Sequence, residues 1–283
     1  MSGSKQALMG FAILTISLIF SLLLCIGSIF LYGYLFFDNS LFSSSEVATL
    51  LNSPSTLAFQ NLLSNIAYAI SIIVIIYIFR SNYQKTLSTG FCKIDDFLIS
   101  TLIILSASIL IDQLLLLLTE GHFNFLAHKN LAGNLNIASI LGNIDATGLL
   151  SFNLLLLLTI FVSPILEELF FRGFLWSSFR KNNSFIKTLI YSSFLFGLIH
   201  FDFIQGISAF IISLFYGFII EKTKSIWPCI LAHISASYMT FFLSNNGYTF
   251  GVGGNTYPLW LVSLSILSLS LCIFLMNKKK TQP

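Results

Sequence analysis

Long apolar runs separated by short polar segments account for most of the chain. A transmembrane α-helix needs about 20 consecutive, mainly apolar residues. Eight runs are compatible with this requirement, and they cover residues 8–37, 57–79, 97–118, 147–171, 185–201, 203–220, 226–243 and 257–276. The pattern therefore predicts an all-α polytopic membrane protein with about eight transmembrane helices.

The polar segments contain neither an internal repeat nor a flexible linker. The longest connection runs from Thr119 to Gly148, and its mixed Asn, Ala, Ile and Leu composition is compatible with a short interfacial helix. The first apolar run is too long for a signal peptide and has no small-residue cleavage site behind it. We therefore expect residues 1–283 to form a single integral membrane domain that keeps its first helix.

The composition excludes other broad classes of protein. Hydrophobic residues make up 56% of the 283 residues and charged residues only 9%, with a mean hydropathy of +0.88. Soluble domains carry about 25% charged residues, and disordered chains combine low hydrophobicity with high net charge. The net charge of +3, without a basic cluster among aromatics, also indicates no nucleic-acid partner.

Lysines and arginines predict the orientation, because cytoplasmic loops retain positive charge. If the N-terminus is cytoplasmic, thirteen of the fourteen basic residues fall on the cytoplasmic side, and only Lys129 falls outside. An odd number of spans would destroy this asymmetry. We therefore expect eight spans with both termini in the cytoplasm, and a basic tail at residues 278–280 that anchors the last helix.

Ionisable residues inside apolar runs are the most informative ones. Each costs about 2.5–3.5 kcal/mol on insertion scales unless it is paired or hydrated, and such residues mark functional sites. The chain has few of them, namely Asp112, Glu167, Glu168, Arg172, His200 and His233, with Asp202 at a helix end.

Two of these acids are adjacent in the run FVSPILEELFFRGFLW. Neighbouring positions of a helix point in different directions, so Glu167 and Glu168 face different partners. Glu168 and Arg172 are four residues apart and can pair along one helix face. Glu167 then lacks a local partner. It lies either at a salt-bridged helix end on the cytoplasmic surface or in a wet intramembrane cavity that a bend at Pro164 helps to open.

His200 and His233 are the two of four histidines that lie within predicted spans. A single histidine of this kind is more typical of a hydrogen-bonded structural residue. With a boundary near Arg180, Glu167 lies roughly 20 Å deep, His200 roughly 24 Å and His233 roughly 14–17 Å, at about 1.5 Å per residue. With ordinary helix tilt, these three groups then lie at a similar depth near the middle of the membrane. If the fourth span ends near Phe171 instead, Glu167 lies at the surface and they do not meet.

A carboxylate and two imidazoles around water form a hydrolytic site on chemical grounds. The carboxylate can act as general base, and the imidazoles can stabilise developing charge or hold a metal. A zinc site needs about three protein ligands and a water, which Glu167, His200 and His233 would supply. The HExxH zinc signature is absent. A site with Zn²⁺ or another divalent metal and a site without metal both stay open.

Three segments together resemble the ordered motifs of the CAAX prenyl protease type II family. The family is also called CPBP, for CAAX proteases and bacteriocin-processing enzymes. The segments are Glu167-Glu168-x-x-x-Arg172, Phe196-x-x-x-His200 and His233. Their order on successive spans is much more specific than any one motif. The resemblance covers about residues 145–243, the predicted catalytic core, between N-terminal helices at 1–144 and a last helix with a basic tail at 244–283.

The resemblance implies an intramembrane endopeptidase of eight helices. In such an enzyme Glu167 would activate the attacking water with the help of His200. Glu168 and Arg172 would form or orient the site, and His233 would help to stabilise the tetrahedral oxyanion. Members are usually labelled metalloproteases, although the family is divided between a metal and a glutamate that acts alone with water.

The resemblance also implies the partners and the location. The substrate would be a peptide or protein at the lipid bilayer, either prenylated or similar to a bacteriocin. Bacterial members are linked to bacteriocin immunity and to peptide processing. We therefore expect a multi-pass protein of a bacterial cell membrane.

One position departs from the family pattern. The third motif usually reads HxxxN, and the fourth residue after His233 is Ser237. A serine hydroxyl reaches less far than an asparagine amide, and the loss of one oxyanion-hole donor costs about 10²–10³ in rate. Alternatively, Ser237 only lets helices pack closely. We retain Ser237 and Phe196 as supporting residues of the site.

Three functions are compatible with these features. The primary hypothesis is an intramembrane endopeptidase, and the alternative is a catalytically weak or inactive member that acts as a binding or immunity protein. A small transporter with a proton relay through Glu167, Asp112 and the histidines is the third, although no inverted repeat supports it. If Asp112 is not part of such a relay, we expect Asp112 and Gln113 to form a structural hydrogen bond to a neighbouring helix. We expect Gly206 and Gly217 to allow close helix packing, and we assign them no chemical role.

Overall fold

The computed structural model describes residues 2–36, 54–79, 92–122, 146–245 and 257–278. These residues form eight helices and no strand, which confirms the all-α class. The helices are α1 (Gly3–Phe36), α2 (Pro54–Phe79), α3 (Ile94–His122), α4 (residues 146–180), α5 (Phe185–Leu198), α6 (Phe203–Thr223), α7 (Trp227–Asn245) and α8 (Leu259–Lys278). Each of the eight apolar runs thus corresponds to one helix.

Six helices are long and apolar enough to cross a membrane by length and composition, namely α1, α2, α3, α4, α6 and α8. Helix α5 has 14 residues. At 1.5 Å per residue this is about 21 Å, less than the roughly 30 Å of a hydrocarbon core. The protein is a multi-pass integral membrane protein. The side on which its termini lie stays a prediction, and residues 123–145, where an interfacial helix is predicted, lie outside the described residues.

Helix α4 extends well beyond the predicted end of the fourth span. It does not stop near Phe171 but continues to Arg180. The apolar stretch within it runs from Leu150 to Arg180. It is longer than the roughly 20 residues that a membrane-spanning helix needs. Glu167 therefore lies in the interior of a spanning helix, as the deeper of the two placements requires.

Two π-helical segments, Leu158–Val162 and Leu169–Leu175, interrupt α4. Between them lies one short α-helical stretch, Ser163–Glu168, with Pro164 in its first turn. Proline has no N–H and breaks the regular hydrogen-bond ladder of an α-helix. The wider winding before Pro164 accommodates this residue without ending the helix, and π turns of this kind are frequent at functional sites.

Two buried apolar clusters hold the described helices together, and α4 contributes to both. The first lies between α1, α2 and the phenylalanine-rich part of α4, where Phe170 and Phe174 are buried. The second joins α3, α6, α7 and α8, and it includes Trp176 of α4 and Tyr216 of α6. Because α3 packs against α6, α7 and α8, it forms the centre of the second cluster. Helix α4 thus stands between the two clusters.

Glycines allow α4, α5 and α6 to approach closely. A Cβ atom on Gly197 would lie 2.7 Å from the carbonyl oxygen of Gly206, and one on Gly206 would lie 3.0 Å from that of Gly197. A Cβ atom on Gly217 would overlap with Leu189 and would lie 2.8 Å from a ring carbon of Trp176. Real Cβ atoms do not approach neighbours this closely, so the predicted packing role of Gly206 and Gly217 is confirmed.

The polar pair of the third apolar run links α3 to the start of α8. Asp112 Oδ2 accepts a hydrogen bond from the Tyr257 hydroxyl at 3.2 Å. Gln113 Oε1 accepts one from the Tyr257 backbone N–H at 2.9 Å. The predicted hydrogen bond to a neighbouring helix is therefore present.

Candidate active site

Glu168 is the centre of a buried ion-pair network. Its carboxylate is fully buried, and its Oε1 atom lies 3.2 Å from Arg172 Nη1 and 2.9 Å from His233 Nδ1. Arg172 lies one turn further along α4, whereas His233 comes from α7. The pairing of Glu168 with Arg172, which their spacing predicts, is present, and His233 joins this pair from another helix.

Arg172 is held by groups from two further helices. Its Nη2 atom donates to Ser213 Oγ at 2.7 Å and to the Ser213 carbonyl at 3.3 Å on α6. Its guanidinium lies over the rings of Phe196 and Tyr216, 4.7 and 4.8 Å from their centroids. Cation–π contacts are stronger where water is excluded, and Arg172 is only 3% exposed. Arg172 thereby fixes α4, α5 and α6 relative to one another around Glu168.

Glu167 lies in different surroundings from Glu168. Its side chain is 18% exposed, and its Oε2 atom lies 4.0 Å from His233 Nε2. This distance is too long for a direct hydrogen bond, but a bridging water or substrate group can join two polar atoms so placed. Both partners of Glu168 bind its Oε1 atom, while its Oε2 atom is buried without a hydrogen-bond partner. Glu167, in contrast, keeps an accessible carboxylate.

His233 connects the two acids through its two ring nitrogens. Nδ1 faces the Glu168 carboxylate, which only accepts hydrogen bonds, so this nitrogen carries a proton. A carboxylate at one nitrogen fixes the tautomer and the orientation of the ring. The ring also lies 5.2 Å from that of Tyr216 and 6.4 Å from that of Phe196. Nε2 is consequently held on the side of Glu167.

His200 lies in the turn between α5 and α6, not within a helix as the predicted span 185–201 implies. The chain reverses here because α5 ends at Leu198 and Phe201 has a positive φ of 53°. This conformation is uncommon for residues other than glycine and is found at turns and functional sites. Asp202 then caps α6 by accepting a hydrogen bond from the Gln205 N–H at 2.7 Å.

The His200 ring is fixed by the end of α5. Its Nδ1 lies 2.8 Å from the Phe196 carbonyl, and its ring packs edge-on against the Phe196 ring at 5.2 Å. The carbonyl only accepts hydrogen bonds, so Nδ1 carries the proton and Nε2 keeps its lone pair. The Phe196 ring also lies near the His233 ring, with centroids 6.4 Å apart, and so contacts both histidines. All three motifs thus contribute to one site.

Several residues of this site lie outside the three sequence motifs. Ser213 and Tyr216 lie three residues apart on α6 and contact Arg172, and this polar face in an apolar run is a readable signal. Tyr68 is one of two tyrosines in the apolar run of α2. Glu167, Glu168 and Arg172 all act electrostatically on its hydroxyl, a relation that only the tertiary structure reveals.

The supporting residue Ser237 lies one turn beyond His233 on α7 and is partly buried. Its position follows from helical spacing alone, since residues four apart share a helix face. The described contacts assign it no partner in the site. Its part in stabilising an oxyanion stays a prediction.

The predicted metal ligands are Glu167, His200 and His233. Within the described ranges, no three His, Cys, Asp or Glu side chains come together as a metal-binding group. Protein groups engage Nδ1 of both histidines, which leaves one nitrogen on each. A bond from the other ring nitrogen to a carbonyl or carboxylate is also usual for metal-binding histidines, so a metal held by these three residues stays a prediction. The steps proposed below involve only residues of the chain.

Comparison with known proteins finds one matching family and one similar protein. Residues 149–239 match the family described as "Type II CAAX prenyl endopeptidase Rce1-like". The chain is also similar to the "Putative membrane peptidase YdiL" of Bacillus subtilis (strain 168), with 27% identity over 188 residues, or 62% of this chain and 68% of the relative. No solved structure matches the chain.

The matched region contains all three motifs, from Glu167 to Ser237. The family and the relative both support a membrane protease. Residues 149–239 are therefore similar to the Rce1-like, type II CAAX prenyl endopeptidase family.

Proposed function

We propose that the protein is an intramembrane endopeptidase that hydrolyses a peptide bond of a lipidated or membrane-associated peptide or protein. The pair formed by Glu167 and His233 carries this proposal. An accessible carboxylate lies 4.0 Å from an imidazole whose other nitrogen is bonded to the buried Glu168. A base and a charge-stabilising group that lie this close can act on the two neighbouring oxygens of one tetrahedral intermediate, the attacking water oxygen and the oxyanion.

The proposed reaction consumes one water molecule for each bond cleaved. The water oxygen adds to the carbonyl carbon while Glu167 takes a proton from it, and the carbonyl electron pair moves to oxygen to give a tetrahedral oxyanion. The C–N bond then breaks, and the proton held by Glu167 passes to the leaving nitrogen. The products are a new carboxyl terminus and a new amine.

The histidines have different tasks in this scheme. Because His200 Nδ1 is bonded to the Phe196 carbonyl, its Nε2 lone pair is available to accept a hydrogen bond from the attacking water. His233 faces the site with Nε2 and is backed by the Glu168 carboxylate. The carboxylate offsets positive charge on the ring, so His233 can stabilise the oxyanion.

Glu168 and Arg172 orient the site in this proposal and do not react. Glu168 is fully buried, and Arg172 binds its carboxylate as well as Ser213 on α6. A constellation held in this way keeps its geometry before the substrate arrives, which lowers the reorganisation that the reaction requires.

The location of the site supports a substrate that associates with the membrane. Glu167 lies inside a spanning helix, and the surrounding described residues are largely apolar. A lipid group on the substrate would bring the scissile bond to the bilayer. A prenylated protein and a bacteriocin-like peptide are the two substrate classes that the family resemblance suggests.

A cleavage assay with purified full-length protein tests the proposal. Matched fluorogenic peptides with and without a farnesyl group near the cleaved bond identify the substrate class. We expect Glu167→Ala and His200→Ala to retain folding and to lose activity by at least about 10²-fold, in line with acid–base catalysis. Glu46→Ala and His128→Ala, outside the predicted spans, are the matched controls. If both site variants cleave as well as the parent, the assignment is wrong.

The divalent metal suggested by the family resemblance needs a separate measurement. Metal content of the purified protein, determined beside the activity of the parent and of Glu167→Ala, distinguishes a metalloprotease from a glutamate-type enzyme. A stoichiometric metal that is lost together with activity in Glu167→Ala would identify a metalloprotease, whereas full activity without bound metal would identify a glutamate-type enzyme.

A second candidate function is a binding or immunity protein without catalysis. Ser237 favours it, because this serine stands where the family usually has asparagine. A protection phenotype that survives both Glu167→Ala and His200→Ala would support this function against proteolysis.

A further inference from the structure

We propose that Tyr68 on α2 is a further catalytic residue, whose hydroxyl donates a hydrogen bond to the scissile carbonyl oxygen as that oxygen gains negative charge. This inference rests on the proposed protease function and deepens it. Tyr68 lies outside residues 149–239, so the family match does not extend to it.

The Tyr68 hydroxyl is buried without a hydrogen-bond partner. The residue is 5% exposed, and no described donor or acceptor lies within hydrogen-bond reach of its oxygen. Buried tyrosine hydroxyls usually have a partner, because an unpaired polar group in apolar surroundings is unfavourable. A partner that arrives with the substrate accounts for the unpaired hydroxyl.

The electrostatic surroundings place this hydroxyl at the proposed site. The hydroxyl lies close enough to Glu167, Glu168 and Arg172 for their charges to act on it, and it hydrogen-bonds to none of them. A phenol is protonated at neutral pH, so Tyr68 offers a proton-donating group beside the proposed base.

Packing holds the Tyr68 ring in this position. The ring meets Phe170 of α4 edge-on, with centroids 6.2 Å apart, and Phe170 is fully buried. Helix α2 packs against the part of α4 that leads to the acids, from Leu158 to Glu168. A donor held before the reaction needs little reorganisation when charge develops, which is what makes such donors effective.

Asn65 provides a second observation on the same helix face. It lies three residues before Tyr68 and is also 5% exposed. Its Nδ2 atom donates to the Asn61 carbonyl at 2.9 Å, while Oδ1 has no hydrogen-bond partner. Helix α2 thus presents two buried polar side chains with unused hydrogen-bonding capacity on its Tyr68 face.

Ser237 explains why the proposed site would need a further hydrogen-bond donor. Its hydroxyl is shorter than the asparagine amide that usually stands there, and a site with one donor fewer would be slow. A phenol carried by α2 reaches further from its backbone than a serine hydroxyl does. Tyr68 would therefore supply the hydrogen bond that Ser237 cannot.

Tyr68→Phe tests the proposal because it removes only the hydroxyl. With the fluorogenic membrane peptide as substrate, we expect kcat to fall by about 10²-fold with KM unchanged. Tyr77→Phe is the matched control, since Tyr77 lies on the same helix and is 83% exposed. A phosphinate peptide that mimics the tetrahedral intermediate should bind Tyr68→Phe more weakly by the same factor, while an uncleavable N-methyl peptide should bind equally well.

Two further measurements separate catalysis from packing. The thermal midpoint of Tyr68→Phe should equal or exceed that of the parent, because an unpaired buried hydroxyl is removed. Ser237→Asn in the Tyr68→Phe background should restore part of kcat by adding a donor. A lower thermal midpoint with kcat per folded molecule unchanged would overturn the proposal in favour of a structural role.

Glu167→Gln, measured in parallel, distinguishes failure of this proposal from failure of the proposed function. If Glu167→Gln is inactive and Tyr68→Phe keeps the parent's kcat, the protease function stands and the role of Tyr68 is refuted. If Glu167→Gln retains the parent's activity, the function itself is refuted, and the role of Tyr68 falls with it.

Discussion

Glu167 and Glu168 are adjacent in the chain, yet their surroundings assign them different tasks. Glu168 is fully buried and bound by Arg172 and His233, whereas Glu167 is 18% exposed and faces His233 at 4.0 Å. Adjacent positions of a helix point in different directions, so one residue can organise the site while the other meets the substrate.

The sequence predicted the local part of this arrangement but not the part that crosses between helices. Four-residue spacing is sufficient to predict the pair of Glu168 with Arg172. The contacts of Arg172 with Ser213 and of Tyr68 with the acids depend on how α6 and α2 pack against α4. No local pattern encodes such packing, because apolar faces of spanning helices look alike in sequence.

Arg172→Met should strongly destabilise the protein, because it leaves the fully buried Glu168 without its cation. Breaking a buried pair costs about 3–5 kcal/mol. Arg180→Met on the same helix is the matched control. Arg180 pairs with Glu221 at 2.9 Å but is 33% exposed, and solvent-screened pairs contribute about 1 kcal/mol or less. Thermal unfolding in detergent measures both, and equal losses would contradict the central position of Glu168.

The elements that carry the site depart from regular helices at the points where chemistry is proposed. Helix α4 has π-helical segments on both sides of the stretch that contains the two acids, and α5 ends before His200. The apolar runs predicted the helix ends to within about five residues, except that α4 continues from the predicted end at Phe171 to Arg180. They could not predict these departures, because the apolar pattern continues through Pro164 and through the turn at His200.

The close approach of α5 and α6 leads to a prediction at Gly197. Alanine in place of glycine within a helix normally stabilises by about 0.5–1 kcal/mol. At Gly197 the added Cβ would meet the Gly206 carbonyl at 2.7 Å, and overpacking costs about 1–3 kcal/mol. Gly197→Ala should therefore lower the thermal midpoint and, by moving the His200 turn, the activity.

Gly27→Ala is the control for this prediction, since a Cβ at Gly27 meets nothing within 4 Å. It should be neutral or stabilising. If Gly197→Ala is also neutral in the thermal midpoint, α5 and α6 do not approach as closely as described.

At the scale of the whole molecule, the bundle brings N-terminal and C-terminal helices to one site. Residues 149–239 match the protease family, but α2 covers α4 with Tyr68, and α3 forms the centre of the second apolar cluster. The composition was sufficient to predict a membrane protein and its all-α class. The packing of α2 against the matched region follows only from the tertiary structure.

The distribution of lysine and arginine predicts the topology. We expect both termini in the cytoplasm, because thirteen of fourteen basic residues then lie on that side. A fluorescent protein fused after Pro283 should fluoresce in cells, and alkaline phosphatase at the same point should be inactive. Active phosphatase at the C-terminus would place that terminus outside the cytoplasm and would contradict the predicted topology.

Cleavage in ¹⁸O-labelled water by the parent and by Glu167→Gln is the most direct test of the central claim that Glu167 activates water for peptide hydrolysis. Mass spectrometry of the released peptide should show one ¹⁸O atom in the new carboxyl terminus with the parent and with Glu46→Gln. The rate of labelled product should fall at least about 10²-fold with folded Glu167→Gln. Labelled product formed at the parent's rate by Glu167→Gln would contradict the claim.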